Sequence, residues 1–138
     1  MSIFLFVLSF FIYSFIGWIL DTSTRSWIKK RYTTGSFFPI PFCPIYGFGA
    51  LFVILLHNAI DHLPFLVEGF IFGIFLSLFE FISGKLIFII FKRRLWKYED
   101  TGLSIGHWTD ASHAVLWGIL SLLLVTWIHP FLTSLVLR

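Results

Sequence analysis

Residues 65–91 have the sequence FLVEGFIFGIFLSLFEFISGKLIFIIF, which is almost entirely apolar. A helix of about 20 apolar residues is enough to cross a hydrocarbon layer about 30 Å thick. This stretch is longer, so we predict a membrane-spanning helix that tilts or projects beyond the bilayer. Glu80 lies near its middle.

The composition of the whole chain supports a membrane protein. Hydrophobic residues make up 58% of the 138 positions and charged residues only 12%, with a mean hydropathy of +0.92. A soluble domain has about 25% charged residues. The missing charge implies that much of the surface faces lipid, and we predict an all-α, polytopic bundle of transmembrane helices.

Three further apolar runs, residues 3–20, 44–60 and 111–128, bring the predicted spans to four. The first run has no basic segment before it and no small-residue cleavage pattern after it, so we interpret it as a retained span and not a signal peptide. The chain contains no repeat, low-complexity tract or linker. We therefore predict one membrane domain over residues 1–138.

A proline-rich segment precedes the second span. Pro39, Pro41 and Pro44 fall within six residues, among aromatic side chains. Prolines at this density forbid a regular helix, and irregular backbone at membrane depth is stable only where it is buried in protein or lines a wet cavity. We predict a re-entrant or interfacial segment here.

Basic residues predict the orientation. Eight of the ten lie in two clusters, Arg25, Lys29, Lys30 and Arg31 after the first span and Lys92, Arg93, Arg94 and Lys97 after the third. Short cytoplasmic loops are enriched in Lys and Arg. Both connections should therefore be cytoplasmic and both termini outside. Clusters beside apolar runs fit the anionic headgroups of the bilayer better than nucleic acid, so no nucleic-acid partner is predicted.

Glu80 belongs to a stripe of small residues. The stripe consists of Gly69, Gly73, Ser77, Glu80 and Gly84, spaced by four, four, three and four. This spacing places them within about 80° on one helix face, where small residues let another backbone approach closely. Glu80 should therefore point into a helix interface. It either locks two helices together or forms a proton, cation or cationic-substrate site.

Asp21 ends the first span and is followed four positions later by Arg25. One interpretation is an ion pair on the helix surface. The other is that Asp21 closes a polar cavity shared with Glu80.

Metal, cofactor and nucleophile sites are not predicted. His107, Asp110 and His113 recur every third residue, but no further ligand supports them as a metal site. The single cysteine, Cys43, excludes an intrachain disulfide. The sequence has neither a phosphate-binding glycine loop of the Walker type nor a dinucleotide motif, so we expect no direct use of ATP.

Several motifs together resemble those of the CmpB-like family of ABC-transporter type IV membrane proteins of bacteria. The most specific is the segment 41–50, PFCPIYGFGA, and others are YSFIGWILD at 13–21, FEFISGK at 79–85, LWKYED at 95–100 and LWG at 116–118. The matching positions in the loops and at the start of the second span are Pro41, Cys43, Pro44, Gly47, Gly49, Trp96 and Tyr98. The resemblance implies a multi-pass protein of the bacterial cytoplasmic membrane, with any ATPase on a separate subunit.

We expect a permease-like or transport-associated membrane subunit without enzymatic activity. Its polar site would contain Glu80, Asp21, Tyr46 and Trp18. Four short spans make a thin bundle, so a homo-oligomer or a second membrane subunit is expected. One alternative is an accessory or scaffold protein of an envelope complex. An intramembrane lipid-modifying enzyme ranks last because no nucleophile or metal accompanies the two acids.

Overall fold

The computed structural model describes residues 1–35, 40–98 and 104–138. Its helices are α1 (Ile3–Lys29), α2 (Pro44–Ile60), α3 (Phe65–Phe91), α4 (Ala111–Leu123), a π-helix (Leu124–Ile128) and α5 (His129–Val136). Two short strands, β1 (Ser104–Ile105) and β2 (Thr109–Asp110), pair antiparallel before α4. The predicted all-α class is confirmed.

Three helical stretches are long and apolar enough to cross a membrane, namely Ile3–Lys29, Phe65–Phe91 and Ala111–Val136. Helix α2 is apolar but has only 17 residues, which is below the length of about 20 needed for a perpendicular crossing. The described residues thus contain three helices of spanning length and one shorter apolar helix.

The chain divides into two compact units, an N-terminal unit of Met1–Phe52 and a C-terminal unit of Val53–Arg138. In the N-terminal unit, α1 packs against the first turns of α2. Gly17 lies directly under the ring of Tyr46, and Gly47 lies against the Ser14 side chain. A side chain at either glycine would overlap its neighbour, so these two positions set the close approach of the helices.

Helix α1 is longer than the predicted span, which was placed at 3–20. The last two turns are polar. Thr24 Oγ1 donates to the Leu20 carbonyl oxygen at 2.8 Å, and Arg25 Nε donates to Asp21 Oδ2 at 2.9 Å. A hydropathy pattern ends at the first charge, whereas the helix continues to Lys29, supported by the i,i+4 ion pair of Asp21 and Arg25.

In the C-terminal unit, α3 and α4 pack against each other as antiparallel helices. Gly73 faces the backbone of Ala114, and Gly118 faces the backbone of Gly69. Val53, Phe72 and Val125 are buried together as the centre of an apolar cluster. The helix pair therefore has a backbone-to-backbone contact over the first half of α3.

The fourth span was predicted to end at Ile128, before His129 and Pro130, but the helical path continues to Val136. The backbone changes to a π-helix over Leu124–Ile128, with the His129 N–H bonded to the Leu124 carbonyl. Proline lacks an N–H, and its ring clashes with the carbonyl four residues earlier. A widened π turn just before Pro130 accommodates both effects, so the proline does not end the helix.

The proline-rich segment lies partly outside the described residues, at 36–39. Of the described part, Cys43 N–H donates to the Ser14 carbonyl oxygen at 3.1 Å, and Pro44 begins α2. Proline is favoured at the first helical position because its missing N–H has no partner there in any case.

Candidate functional site

Glu80 lies on α3 and is only 7% exposed. The Tyr98 hydroxyl donates a hydrogen bond to its Oε1, and the Trp117 indole Nε1 lies 3.3 Å from its Oε2. Tyr98 belongs to the connection after α3, and Trp117 belongs to α4. Each carboxylate oxygen therefore accepts one hydrogen bond, and the group joins three segments of the C-terminal unit.

The glycine contacts bring Trp117 to Glu80. A Cβ at Gly73 would lie 2.6 Å from the Ala114 carbonyl oxygen, and one at Gly118 would lie 2.6 Å from the Gly69 carbonyl oxygen. Such separations are possible only because neither glycine has a side chain. With the backbones this close, an indole on the second turn of α4 reaches the α3 carboxylate.

The antiparallel alignment of α3 and α4 also places the start of α4 beside Glu80. Because Gly73 faces Ala114 and the helices run in opposite directions, the residues before α4 lie about two turns further along α3, near Glu80. The connection must then fold back along the last turns of α3. Gly84 accordingly faces the rings of Trp96 and Trp108, each 2.8 Å from a Cβ built there.

Tyr98 is held in place by a reciprocal contact with His107. The Tyr98 N–H donates to the His107 carbonyl oxygen at 2.9 Å, and His107 Nδ1 lies 2.7 Å from the Tyr98 carbonyl oxygen. A carbonyl only accepts, so Nδ1 is the protonated nitrogen. Gly106 and His107 both have positive φ, 58° and 61°, as the central residues of a type I′ turn require.

Arg94 stabilises the connection between α3 and α4. Its guanidinium lies over the Trp108 ring at 3.7 Å. It also donates to the carbonyl oxygens of Trp96 at 2.9 Å and Gly106 at 2.8 Å. Trp96 Nε1 in turn donates to the Trp108 carbonyl oxygen at 2.8 Å. Arg94 therefore organises the loop, whereas its three neighbours in the basic cluster, Lys92, Arg93 and Lys97, are exposed.

Asp110 is the N-cap of α4 and is buried. Its Oδ1 accepts from the His113 N–H at 2.7 Å and lies 2.7 Å from His113 Nδ1. Burial by itself raises the pKa of Asp110, but the hydrogen bonds and charge of His113 outweigh it and lower the pKa below its usual range. The His113 ring stacks on the Tyr98 ring, with centroids 3.8 Å apart. The N-cap of α4 is therefore connected to Glu80 through the His113 and Tyr98 rings.

Two hydroxyl groups near Glu80 lack a partner among the described residues. Thr109 is 5% exposed. Its Oγ1 lies beside the Glu80 carboxylate without reaching hydrogen-bond geometry. Ser77 Oγ is also buried and unpartnered, and it lies three residues before Glu80 on the same helix face. We call Ser77, Glu80, Tyr98, Thr109 and Trp117 the Glu80 site.

Asp21 has a separate set of contacts in the N-terminal unit. Arg25 Nε donates to it at 2.9 Å, and the Tyr46 hydroxyl lies 3.5 Å from Oδ1. A Cβ at Gly35 would lie 2.5 Å from Oδ2. Trp18, also predicted for the polar site, donates through Nε1 to Thr34 Oγ1 at 3.1 Å. Of the predicted set, Tyr46 is therefore the residue beside Asp21.

Cys43 packs near the same carboxylate. Its Sγ lies 3.6 Å from the Gly35 carbonyl oxygen. Burial, and secondarily the charge of Asp21, raises the pKa of the thiol to about 11. At neutral pH such a thiol is almost fully protonated, so it is a poor nucleophile.

A comparison with known families covers the residues of both sites. The family described as “Putative ABC-transporter type IV” matches residues 8–138. The chain belongs to this family. No curated protein and no solved structure matches it.

The segments on which the family resemblance was predicted have clear positions in the structure. The segment 41–50 supplies Tyr46 and Gly47, which pack against α1. The Trp-Lys-Tyr segment at 96–98 supplies the hydroxyl that bonds Glu80, and the Trp-Gly pair at 117–118 supplies the indole and the close helix contact. Motifs that are far apart in sequence thus meet within each unit.

Sequence reasoning missed several of these contacts. Tyr98 was predicted only as a loop position that matches the family, without a contact to Glu80, and Thr109 was not singled out. Another missed residue is Glu68, which is 5% exposed and is paired with His57 Nδ1. Its position in the first turn of an apolar helix was a usable signal, because buried acids require partners.

The three residues considered as metal ligands do not converge. His107 bonds the Tyr98 backbone, whereas Asp110 pairs with His113. Within residues 1–35, 40–98 and 104–138, no group of three or more His, Cys, Asp or Glu side chains could hold a metal ion.

Proposed function

We propose that this protein is a transport-associated membrane subunit without an ATPase of its own, and that Glu80 is the functional group of its polar site. The family supports the transport assignment, and the three long apolar helices support a membrane location. We place the protein in the bacterial cytoplasmic membrane, with the basic loops inside, and expect a second membrane subunit or an ATPase as partner.

The observation behind this proposal is the state of the Glu80 carboxylate. It is buried, and its hydrogen-bond donors Tyr98 and Trp117 are neutral. His113 acts on it through its charge, but Glu80 forms no ion pair with any residue that the structure describes. A buried carboxylate that is in no ion pair is stabilised by taking up a proton or a cation. Glu80 therefore has the chemistry of an ion or proton site.

Asp21 is a weaker candidate for the same role. Asp21 forms an ion pair with Arg25 within the N-terminal unit, so its charge does not require an external cation. We assign the transport function to Glu80 and regard Asp21 with Tyr46 as a second polar group.

A specific observation also favours the scaffold alternative. The hydrogen bonds of Glu80 fasten the connection after α3 to both α3 and α4. In that case Glu80→Gln should be tolerated, because the amide oxygen still accepts from the Tyr98 hydroxyl and only the longer hydrogen bond from the Trp117 indole is lost.

Complementation of a deletion strain separates the two functions. Growth under ionic, osmotic and drug stress would be compared for cells expressing the wild type, Glu80→Gln or Glu68→Gln at equal membrane levels. Glu68→Gln is the matched control, since it removes another buried carboxylate from α3. We expect loss of complementation only for Glu80→Gln. Full complementation by Glu80→Gln would favour the scaffold.

The partner is tested by purification in mild detergent and mass spectrometry. A transport subunit should copurify with a nucleotide-binding ATPase or another polytopic membrane protein in a fixed ratio. A monodisperse protein that purifies alone would contradict the predicted assembly.

A further inference from the structure

We propose that the Glu80 site binds a small monovalent cation of about the size of sodium, through the Glu80 carboxylate and the hydroxyl oxygens of Thr109 and Ser77. This proposal rests on the proposed function, since it names the species that the Glu80 carboxylate takes up. The donors come from α3 and from β2, immediately before α4.

The unpartnered hydroxyls are the first reason. Buried hydroxyl groups almost always have a hydrogen-bond partner, because a buried polar group without a hydrogen bond destabilises the folded protein. Thr109 Oγ1 and Ser77 Oγ have none among the described residues. Thr109 Oγ1 lies beside the Glu80 carboxylate, and Ser77 lies on the same helix face, three residues before Glu80. A cation held by the carboxylate and both hydroxyl oxygens would give each hydroxyl group a partner.

The nature of the donors is the second reason. Carboxylate and hydroxyl oxygens are hard ligands, which suit small hard cations and not zinc or copper. One formal negative charge matches one monovalent ion. A divalent ion would leave a net positive charge buried between α3 and α4, because Asp110, the acid next to Thr109, is already engaged by the N–H and Nδ1 of His113.

The hydrogen bonds to Glu80 are compatible with ion binding. Tyr98 and Trp117 each occupy one lone pair on a different oxygen. A carboxylate has about four lone-pair positions, so at least one on each oxygen stays available. The two donors orient the carboxylate and leave lone pairs on both of its oxygens for a cation.

Direct binding of ²²Na⁺ to the purified full-length protein in detergent tests the site. We expect saturable binding that excess Na⁺ or Li⁺ displaces and choline does not. Glu80→Gln should abolish binding. Thr109→Val and Ser77→Ala should each weaken it by about tenfold or more, since loss of even an outer-shell partner of a metal ligand costs that much.

Two controls separate ligand loss from misfolding. Thr109→Ser keeps the hydroxyl group and should bind like the wild type, because the oxygen that contacts the cation is unchanged. Ser9→Ala removes another buried, unpartnered hydroxyl, in α1, and should bind like the wild type. Each variant would be checked by gel filtration before binding is measured.

Protons and sodium ions would compete for the same carboxylate. If the site binds sodium, lowering the pH should weaken ²²Na⁺ binding in the wild type. A wild-type protein that binds no ²²Na⁺ above the choline background at any pH would overturn the proposal, and so would unchanged binding by Thr109→Val.

The outcomes for the function and for the ion are distinguishable. If Glu80→Gln fails to complement but the wild type binds no sodium, the proposed function stands and the ion assignment is wrong. If sodium binds at Glu80 but Glu80→Gln complements fully, the ion site stands and the proposed function is wrong.

Discussion

The Tyr98 hydroxyl is hydrogen-bonded to Glu80 Oε1 across 18 residues of sequence. The contact requires the connection after α3 to fold back along that helix, because Tyr98 lies beyond the end of α3 at Phe91. It also requires the type I′ turn at Gly106 and His107, which fixes the Tyr98 backbone. A side-chain hydrogen bond in the Glu80 site thus depends on the backbone of a distant turn.

Tyr98→Phe removes this hydroxyl and leaves the stacking on His113 possible. We expect a loss of about 1 kcal/mol in the free energy of unfolding, since hydrogen bonds within membrane proteins contribute about this much. Thermal unfolding in a fixed detergent measures the change. Tyr32→Phe is the control, because Tyr32 is exposed. Equal unfolding temperatures for both variants and the wild type would show that the Tyr98 hydroxyl contributes no stability.

Asp110 predicts a pH dependence of stability. Its pKa is lowered in the folded protein, so the unfolded chain binds the proton more readily. Its contribution is therefore complete above about pH 4, the ordinary range of aspartate, and is lost as the pH falls through the lower pKa of the folded state.

Asp110→Asn tests this dependence. Asparagine keeps an oxygen that accepts from the His113 N–H, so the N-cap is retained, but it does not titrate. We expect the variant to be less stable than the wild type near pH 6, and this difference to shrink as the pH falls below 4. Thermal unfolding from pH 3 to pH 7 measures it, with the exposed Asp61→Asn as control. A constant difference over this range would contradict the assignment.

Helical periodicity predicted the parts of the Glu80 site that lie on α3. The spacing of Gly69, Gly73 and Glu80 places them on one face because the helix is regular there, and the structure shows that face against α4 and its preceding loop. The bounds of α2 and α3 followed from the apolar runs for the same reason. Local regularity made these features predictable.

The remaining contacts depend on irregular backbone. Thr109 and Tyr98 reach Glu80 only because the connection reverses direction, and no period in the sequence encodes that reversal. The π turn before Pro130 was likewise unpredictable, since a proline after an apolar run ordinarily indicates a helix end. Hydropathy alone could not distinguish an accommodated proline from a terminating one.

Cys43 should be unreactive. With a pKa of about 11, its thiolate fraction at pH 8 is on the order of one hundredth of that of an ordinary cysteine with a pKa of about 8.5. We expect alkylation by N-ethylmaleimide in detergent to be slower by a similar factor than alkylation of the unfolded protein.

Asp21→Asn should speed this alkylation. The Asp21 charge is the second cause of the raised pKa, after burial. Its removal lowers the pKa of the thiol, but by less than exposure would, so a few-fold increase in rate is expected. Mass spectrometry of timed reactions measures it. An unchanged rate in Asp21→Asn would mean that burial alone suppresses the thiol.

The contact between α3 and α4 is tested by two matched glycine substitutions. At Gly73 a Cβ would lie 2.6 Å from the Ala114 carbonyl oxygen, which is backbone, whereas at Gly69 it would lie 2.6 Å from Leu122 Cδ1, the end of a flexible side chain. Each alanine gains about 1 kcal/mol of helix propensity over glycine. At Gly69 this gain should offset the movement of Leu122, and the variant should unfold like the wild type.

At Gly73 the helix backbones themselves must separate, which costs about 1–3 kcal/mol for an overpacked site. Separation would also withdraw Trp117 from Glu80, so Gly73→Ala should lower the unfolding temperature and change the tryptophan fluorescence, while Gly69→Ala should do neither. Thermal unfolding followed by intrinsic fluorescence measures both. If Gly73→Ala were as stable as Gly69→Ala, the backbone of α4 would not be fixed against α3, and the Glu80–Trp117 hydrogen bond would lose its structural basis.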